Sequence, residues 1–220
     1  GRKKGGKHVG KHPRGIQKSQ KPKKKPHTTA SPPEKHLYSP NDFILLLGEG
    51  DLSFAASLAH KLRRTPARIL ATTLDTPAQI KQKYRTDAAD SLKTLRGLRA
   101  EVLHAVDARH IATSHPRLAA LRGQVTKIVF NFPHLGDHDT LEAPPNARPD
   151  AELSADLLDL LERAATASER NHRQLLGEFF MSCEEMLAPG EGSEVHVALK
   201  VGEPYKGWRV GTVSRAATEG

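Results

Sequence analysis

From residue 42 onward, short apolar runs alternate with stretches of helical periodicity, and most apolar runs stop at a polar or glycine residue. Residues 43–47, FILLL, have no polar break, as expected of a strand buried on both faces. In residues 52–62, Leu52, Ala55, Ala56, Leu58, Ala59 and Leu62 fall on broadly one helical face. Residues 68–74 predict a second strand ending at Asp75. Thr76-Pro77 opens a helix, because proline suits the first turn; it runs to about residue 84, and a second piece covers 88–98. Residues 101–106, EVLHAV, predict a third strand ending at Asp107, and residues 118–121 a short helix. Residues 126–132, TKIVFNF, predict a fourth strand halted by Pro133. Residues 136–150, rich in Gly, Pro, Asp and Asn, predict a loop. Helices are expected over 151–167 and 169–187, closed by Pro189-Gly190, and a fifth strand over 195–200, VHVALK.

Strands alternating with helices specify an α/β, Rossmann-like fold: a mostly parallel sheet with helices on both faces. In such sheets ligands sit beyond the carboxyl ends of the strands, at the topological switch point. The first four predicted strands end near Gly48, Asp75, Asp107 and Asn131, one candidate polar or glycine residue each.

Charge divides the chain. Residues 1–36 hold twelve lysines and arginines against one acid, Glu34, a net of +11. The whole chain carries +9, so residues 37–220 sum to −2. With five prolines and almost no large apolar side chains, residues 1–36 cannot offset their ordering entropy and are expected to be a disordered basic tail. That charge density suits a polyanion, above all nucleic acid, and also a nuclear or nucleolar address; a solubilising tail is the plainer alternative. Residues 37–220 are expected to form one domain. The single cysteine, Cys183, excludes a disulfide framework and a cysteine zinc site. No apolar run approaches the roughly 18 to 20 residues of a membrane span, so no membrane partner is expected. The chain begins with Gly1 rather than Met, which is expected of a fragment.

The turn after the first predicted strand reads Gly48-Glu49-Gly50-Asp51. Glycines let a backbone approach a ligand without a Cβ clash. Glu49 and Asp51 would repel a pyrophosphate and favour a ligand with an amine and a sulfonium. An acid at the second strand end, Asp75, suits ribose hydroxyls, and Asp107 an adenine amine. Together these positions describe S-adenosylmethionine better than a nicotinamide dinucleotide. Plainer readings exist for each. Glu49 or Asp51 can cap the following helix, Asp75 can be the N-cap of the Pro77 helix, and Asp107 can be a turn residue. Asn131-Phe132-Pro133-His134 has the outline of the N-P-P-Y type motif of methyltransferases that act on planar nitrogens; its plain alternative is a strand-terminating turn. His134 and His138, beside Asp137 and Asp139, have metal-pair spacing only on a helix, which Pro133 and Gly136 disfavour, so a solvated loop and no metal is expected. His104 is expected to be a paired core or edge histidine.

With those residues in view, LLLGEGDLSFAASLA, LDTPAQIKQKY, VLHAVDA, IVFNFPHLG, NHRQLLGEFFMSCEEML and EVHVALKVGEPYKGW resemble successive blocks of the large-subunit ribosomal RNA (uracil-N3)-methyltransferase domain, over about residues 42–210. The resemblance implies a Rossmann-like class I methyltransferase, S-adenosyl-L-methionine as cofactor, large-subunit ribosomal RNA or the pre-ribosome as partner, a monomer, and a nucleolar setting. It assigns Gly48, Glu49, Gly50, Asp51, Ser53, Phe54, Asp75 and Asp107 to the cofactor. It assigns Asn131, Phe132, Pro133 and His134 to the substrate side, and it sets Lys200, Glu203, Pro204 and Tyr205 on the pocket rim. A flipped uridine must lose its N3 proton as the methyl group arrives; His134 is the first candidate base and Glu203 the second. Residues 137–168 look long and irregular for the family, and no sequence for the last two strands of the full methyltransferase sheet is recognised, so either a fragment or another cover for that sheet edge is expected. The rival readings are a nicotinamide oxidoreductase and a non-catalytic RNA-binding or ribosome-assembly factor that keeps the fold.

Overall fold

The computed structural model describes residues 37–39, 41–63, 68–135, 153–164 and 166–219. The predicted basic tail and the predicted loop 136–150 lie outside the described residues. Five strands form one sheet: β1 (Phe43–Leu47), β2 (Arg68–Thr72), β3 (Glu101–Leu103), β4 (Lys127–Asn131) and β5 (Glu194–Ala198). Their order across the sheet is β3-β2-β1-β4-β5, and every pairing is parallel. The chain runs outward from β1 to β3, then returns to add β4 on the other side of β1. The switch point therefore lies between β1 and β4, where Leu47 pairs with Phe130.

Alternate side chains feed two cores, as a strand's period of two requires. Ile44 and Leu46 of β1, Ile69 and Ala71 of β2 and Val129 of β4 point to one face. There they meet Ala55, Leu58 and Ala59 of α1 (Ser53–Leu62) and Leu95 of α2 (Pro77–Gly97). Phe43, Leu45, Leu47, Leu70, Ile128 and Phe130 point the other way. They pack against Ile111 of α3 (Ile111–Ser114), Leu118 of α4 (Pro116–Ala119) and Leu160 of α5 (Ala155–Glu162). Phe179 of α6 (Ala167–Glu184) and Val213 of α7 (Val210–Thr218) complete that layer. All five residues of β1 are buried, which is why FILLL carries no polar break. Among the described residues no helix is long and apolar enough to cross a membrane.

Most elements differ from their predicted spans, chiefly at their ends. β2 stops at Thr72 and β3 at Leu103, because Val106 N–H turns back to the Thr73 carbonyl at 3.0 Å, and Ala105 takes φ +56°. The two helical pieces after Pro77 are one run broken at Arg85, whose φ of 43° and ψ of −112° are non-helical. Short helical turns at Ala108–His110 and α3 follow Asp107 where no helix was expected, and α7 follows the last predicted strand. Helix starts follow capping chemistry: Thr76 and Gln79 form a reciprocal capping box ahead of α2, and Ser154 and Thr166 cap α5 and α6.

Candidate functional site

The turn after β1 is built from the chain's own packing. Gly48 takes φ +63°, and a Cβ there would stand 2.5 Å from Cε2 of Phe130 on the neighbouring strand. A Cβ on Gly50 would stand 2.9 Å from the Tyr84 hydroxyl. Gly48 is thus required by its positive φ and the Phe130 ring, while a side chain at Gly50 would displace the Tyr84 hydroxyl, whatever ligand also approaches. Leu52, fully buried and left-handed at φ 63°, precedes α1 and offers no capping side chain. The two acids cap instead: Ala55 N–H donates to Oε2 of Glu49 at 3.1 Å, and Ser53 N–H donates to Oδ1 of Asp51 at 2.9 Å. Burial pushes the Glu49 carboxyl up to about 7, against the Ala55 hydrogen bond and with a smaller push from Asp51. The Ser53 hydroxyl and N–H hold Asp51 below its ordinary value. Glu49 Oε1 has no hydrogen-bond partner among the described residues.

At the ends of β2 and β3 the predicted acids sit in ion pairs. Asp75 accepts from Lys83 of α2 at 2.6 Å, and its backbone carbonyl accepts from the Thr73 hydroxyl at 2.7 Å. Thr76, not Asp75, is the N-cap of α2. Thr73 Oγ1 also lies 2.9 Å from Nδ1 of His104, so the predicted pairing of that histidine is made by a threonine. Burial lowers the His104 pKa, partly countered by the Asp75 backbone. Asp107 caps the turn at Ala108–His110 through Arg109 N–H, and the Arg109 guanidinium grips both its oxygens at 2.7 to 3.2 Å.

The end of β4 is held by β5. Asn131 pairs with Ala198, and Phe132 N–H donates to the Ala198 carbonyl at 2.8 Å. Phe132 turns left-handed, at φ 52°, which throws its ring outward at 55% exposure while Pro133 is buried. His134 then lies edge-on to His172 of α6, at 5.1 Å between ring centroids, and to Trp208 at 6.1 Å. His172 and Trp208 stack at 3.9 Å, and Tyr205 meets Trp208 edge-on at 4.9 Å. Glu203 is exposed on the loop after β5, and among the described residues no hydrogen bond or ion pair joins it to the β4 end.

The fold therefore gathers Gly48, Glu49, Gly50, Asp51, Ser53, Phe54, Asp75, Asp107 and residues 131–134 at one edge of the sheet, beyond the carboxyl ends of β1 to β4. Four of the six large apolar side chains that are exposed among the described residues, Phe54, Leu74, Phe132 and Val201, follow strands at this same edge. Exposed apolar groups concentrated around acids suit flat, partly apolar ligands such as nucleosides. The donor set fits S-adenosylmethionine: carboxylates at the β1 turn for its cationic groups, an acid after β2 for ribose, and apolar Leu74 beside it. Sequence reasoning missed Lys83, Arg109, Tyr84, His172 and Trp208. Lys83, Tyr84, His172 and Trp208 lie inside the quoted family blocks, the one sequence signal they carry, and Arg109 lies outside them; the three-dimensional pairing with Asp75, Asp107, Gly50 and His134 gives them their places. His138, Asp137 and Asp139 lie outside the described residues.

The model of the BMT5-like family, described as rRNA (uridine-N3-)-methyltransferase BTM5-like, matches residues 45–219. Heavy metal-associated isoprenylated plant protein 41 of Arabidopsis thaliana is 36% identical over 80% of this chain and 28% of its own length. Uncharacterized protein At4g26485 of the same plant is 30% identical over 79% of this chain and 70% of its own. Ferredoxin-fold anticodon-binding domain-containing protein 1 of Homo sapiens is 31% identical over 73% of this chain and 20% of its own. The chain thus spans only about a quarter or a fifth of the first and third of these relatives. The solved structure of BdcA (YjgI) from E. coli covers 80% of this chain and 70% of that one, at 13% identity and a TM-score of 0.39, too distant to carry an argument.

Proposed function

The chain belongs to the BMT5-like family, and from that premise we propose that it methylates N3 of a uridine in large-subunit ribosomal RNA, with S-adenosylmethionine as methyl donor, in the nucleolus. The observation that carries the reading is the placement of Glu49, Asp51 and Asp75 at the same sheet edge as Asn131–His134, across the β1–β4 switch point. When bound, S-adenosylmethionine supplies an electrophilic methyl group on a sulfonium. Glu49 and Asp51 would attract the cationic groups of that ligand, and Asp75 would accept from its ribose hydroxyls, giving up or sharing its contact with Lys83. Asp107, fixed by Arg109, would serve the adenine amine.

On the substrate side, Phe132 offers an outward aromatic face for a flipped base, and base stacking on an aromatic is worth about 1 to 3 kcal/mol. Asn131 orients the base through its amide. His134 would accept the N3 proton of the flipped uridine, leaving N3 free to take the methyl group as the donor's S–CH3 bond breaks. Its ring is steadied against His172 and Trp208, so it is positioned by packing before substrate arrives. Glu203, which has no hydrogen-bond or ion-pair contact with the β4 end among the described residues, is the weaker candidate base.

Calorimetry with S-adenosylhomocysteine and with NAD separates this reading from an oxidoreductase. Binding of S-adenosylhomocysteine and none of NAD is expected; tight NAD binding alone would overturn it. Methyl transfer to large-subunit ribosomal RNA in vitro, lost in Asp75→Ala while folding is preserved, separates an enzyme from a non-catalytic assembly factor.

A further inference from the structure

The amino end of the sheet carries a feature that methyl transfer does not use. An open cavity of about 300 Å³ lies against the starts of β1, β2 and β3. Four arginines line it, Arg63, Arg68, Arg99 and Arg117, against one acidic residue, Glu101. Arg117 and Glu101 answer each other in a two-pronged pair at 2.9 and 3.0 Å, which leaves three cations. The Arg68 guanidinium lies 4.0 Å above the Phe43 ring centroid, and Arg63 holds the ring and carbonyl of His60. Arg99 stands in the turn before β3 at φ +59°, a conformation that disfavours side chains other than glycine. Among the described residues none of these three has a carboxylate partner.

Three elements, the end of α1, the start of β2 and the turn after α2, thus bring unneutralised charge to one concavity, where like charges repel. An anion removes that cost. Guanidiniums present paired N–H donors that match phosphate oxygens, and they are more weakly hydrated than lysine, so phosphate contact costs them little. The open shape and the spread of the cations over three elements suit a chain of phosphates better than one enclosed ion. We propose that this cavity binds consecutive phosphates of the RNA backbone, at the end of the sheet opposite the transfer site. A five-residue strand spans roughly 17 Å, so one RNA strand laid along the molecule reaches both ends. The proposal rests on the RNA substrate reading above and adds where the polymer is held.

The test uses the full chain and a fluorescently labelled stem–loop from large-subunit ribosomal RNA. Arginine modification by phenylglyoxal, read by peptide mass spectrometry, reports each guanidinium separately and is blind to the lysines of residues 1–36. Several-fold protection of Arg63, Arg68 and Arg99 by RNA is expected, with no protection of Arg163, which is paired with Asp159 on α5. In the double variant Arg63→Gln with Arg99→Gln, the slope of log affinity against log salt should become shallower by about 1.5, since each lost phosphate contact removes about 0.7 to 0.9. S-adenosylhomocysteine binding should stay at the parent value. If the parent binds RNA but protection and slope are unchanged, the cavity proposal fails and the RNA reading stands. If the parent does not bind RNA, the RNA reading itself fails and takes the proposal with it. Protection by inorganic pyrophosphate and not by RNA would make this a small-anion site and overturn the polymer assignment.

Discussion

The two ends of the parallel sheet hold their charges in opposite ways. At the carboxyl end four acids are already engaged by the protein: Glu49 and Asp51 cap α1, Asp75 pairs with Lys83, and Asp107 is gripped by Arg109. At the amino end Arg63, Arg68 and Arg99 face a cavity with no carboxylate to meet them among the described residues. Groups fixed by caps and pairs are preorganised, which suits a small ligand read by direction and distance. Cations without carboxylate partners suit a polyanion, whose affinity comes from charge density and counterion release rather than from exact placement. A body of net charge −2 can therefore serve a cationic cofactor and an anionic polymer at once by separating the two along the strand axis.

The sharpest way to break this comparison is at the carboxyl end. Replacing His134 by Ala, or Asn131 by Ala, should lower methyl transfer by about 10²- to 10⁴-fold, the usual value of a positioned acid–base group. S-adenosylhomocysteine affinity, read by calorimetry, should stay close to the parent. Parent-rate transfer by both variants would remove the role given to the β4 end. A second, structural break is Gly48→Ala, which drives a Cβ into the Phe130 ring at a positive φ. A stability loss of about 2 to 4 kcal/mol in denaturant unfolding is expected, combining overpacking with backbone strain. Parent stability would mean that the turn moves away from Phe130 without cost.

Glu49 sharpens the comparison through pH. Its carboxyl is raised to about 7 in the fold, against 4.5 ordinarily. Between those values the folded protein holds a proton that the unfolded chain has lost. Stability contributed by this group is therefore greatest below about 4.5 and declines as pH rises to about 7. A cationic ligand reverses the preference, because it favours the ionised form. S-adenosylmethionine affinity should weaken as pH falls below about 7, by at most about tenfold per unit for one linked proton, and Glu49→Gln should flatten that dependence. Affinity that stays level from pH 5 to 8 in the parent would place the cationic groups away from Glu49. The smallest expected effect is at the amino end: Glu101→Gln, which opens the half-exposed pair with Arg117, should change stability by less than about 1 kcal/mol. A loss of several kcal/mol would show that this pair is structural rather than a surface contact.

Much of the fold was legible because burial on both faces forces uninterrupted apolar runs: β1 matches its predicted span residue for residue. Where a strand's end depends on a turn made by distant partners, the pattern misleads. EVLHAV is apolar enough to read as a six-residue strand, yet Ala105 leaves the sheet because Val106 is tied back to Thr73. The site was legible in part for the same reason. Strand ends announce themselves, so Gly48, Asp75, Asp107 and Asn131 stand close to where alternation stops. What fixes them lies outside the strand ends: Lys83 reaches Asp75 from about two helical turns past the Thr76 cap, and His172 reaches His134 from α6, 38 positions away. The glycines carried a partly different message from the one first read. Their lack of a Cβ accommodates Phe130 and Tyr84, so G-x-G here marks close packing of the turn as well as room for a ligand.

The central claim is that the carboxyl end of this sheet methylates uridine N3 in large-subunit ribosomal RNA. Nucleoside mass spectrometry of that RNA, from cells with and without the protein, tests it most directly. The account predicts loss of 3-methyluridine without the protein, restored by the parent chain and not by Asp75→Ala. Unchanged 3-methyluridine in cells lacking the protein would contradict it.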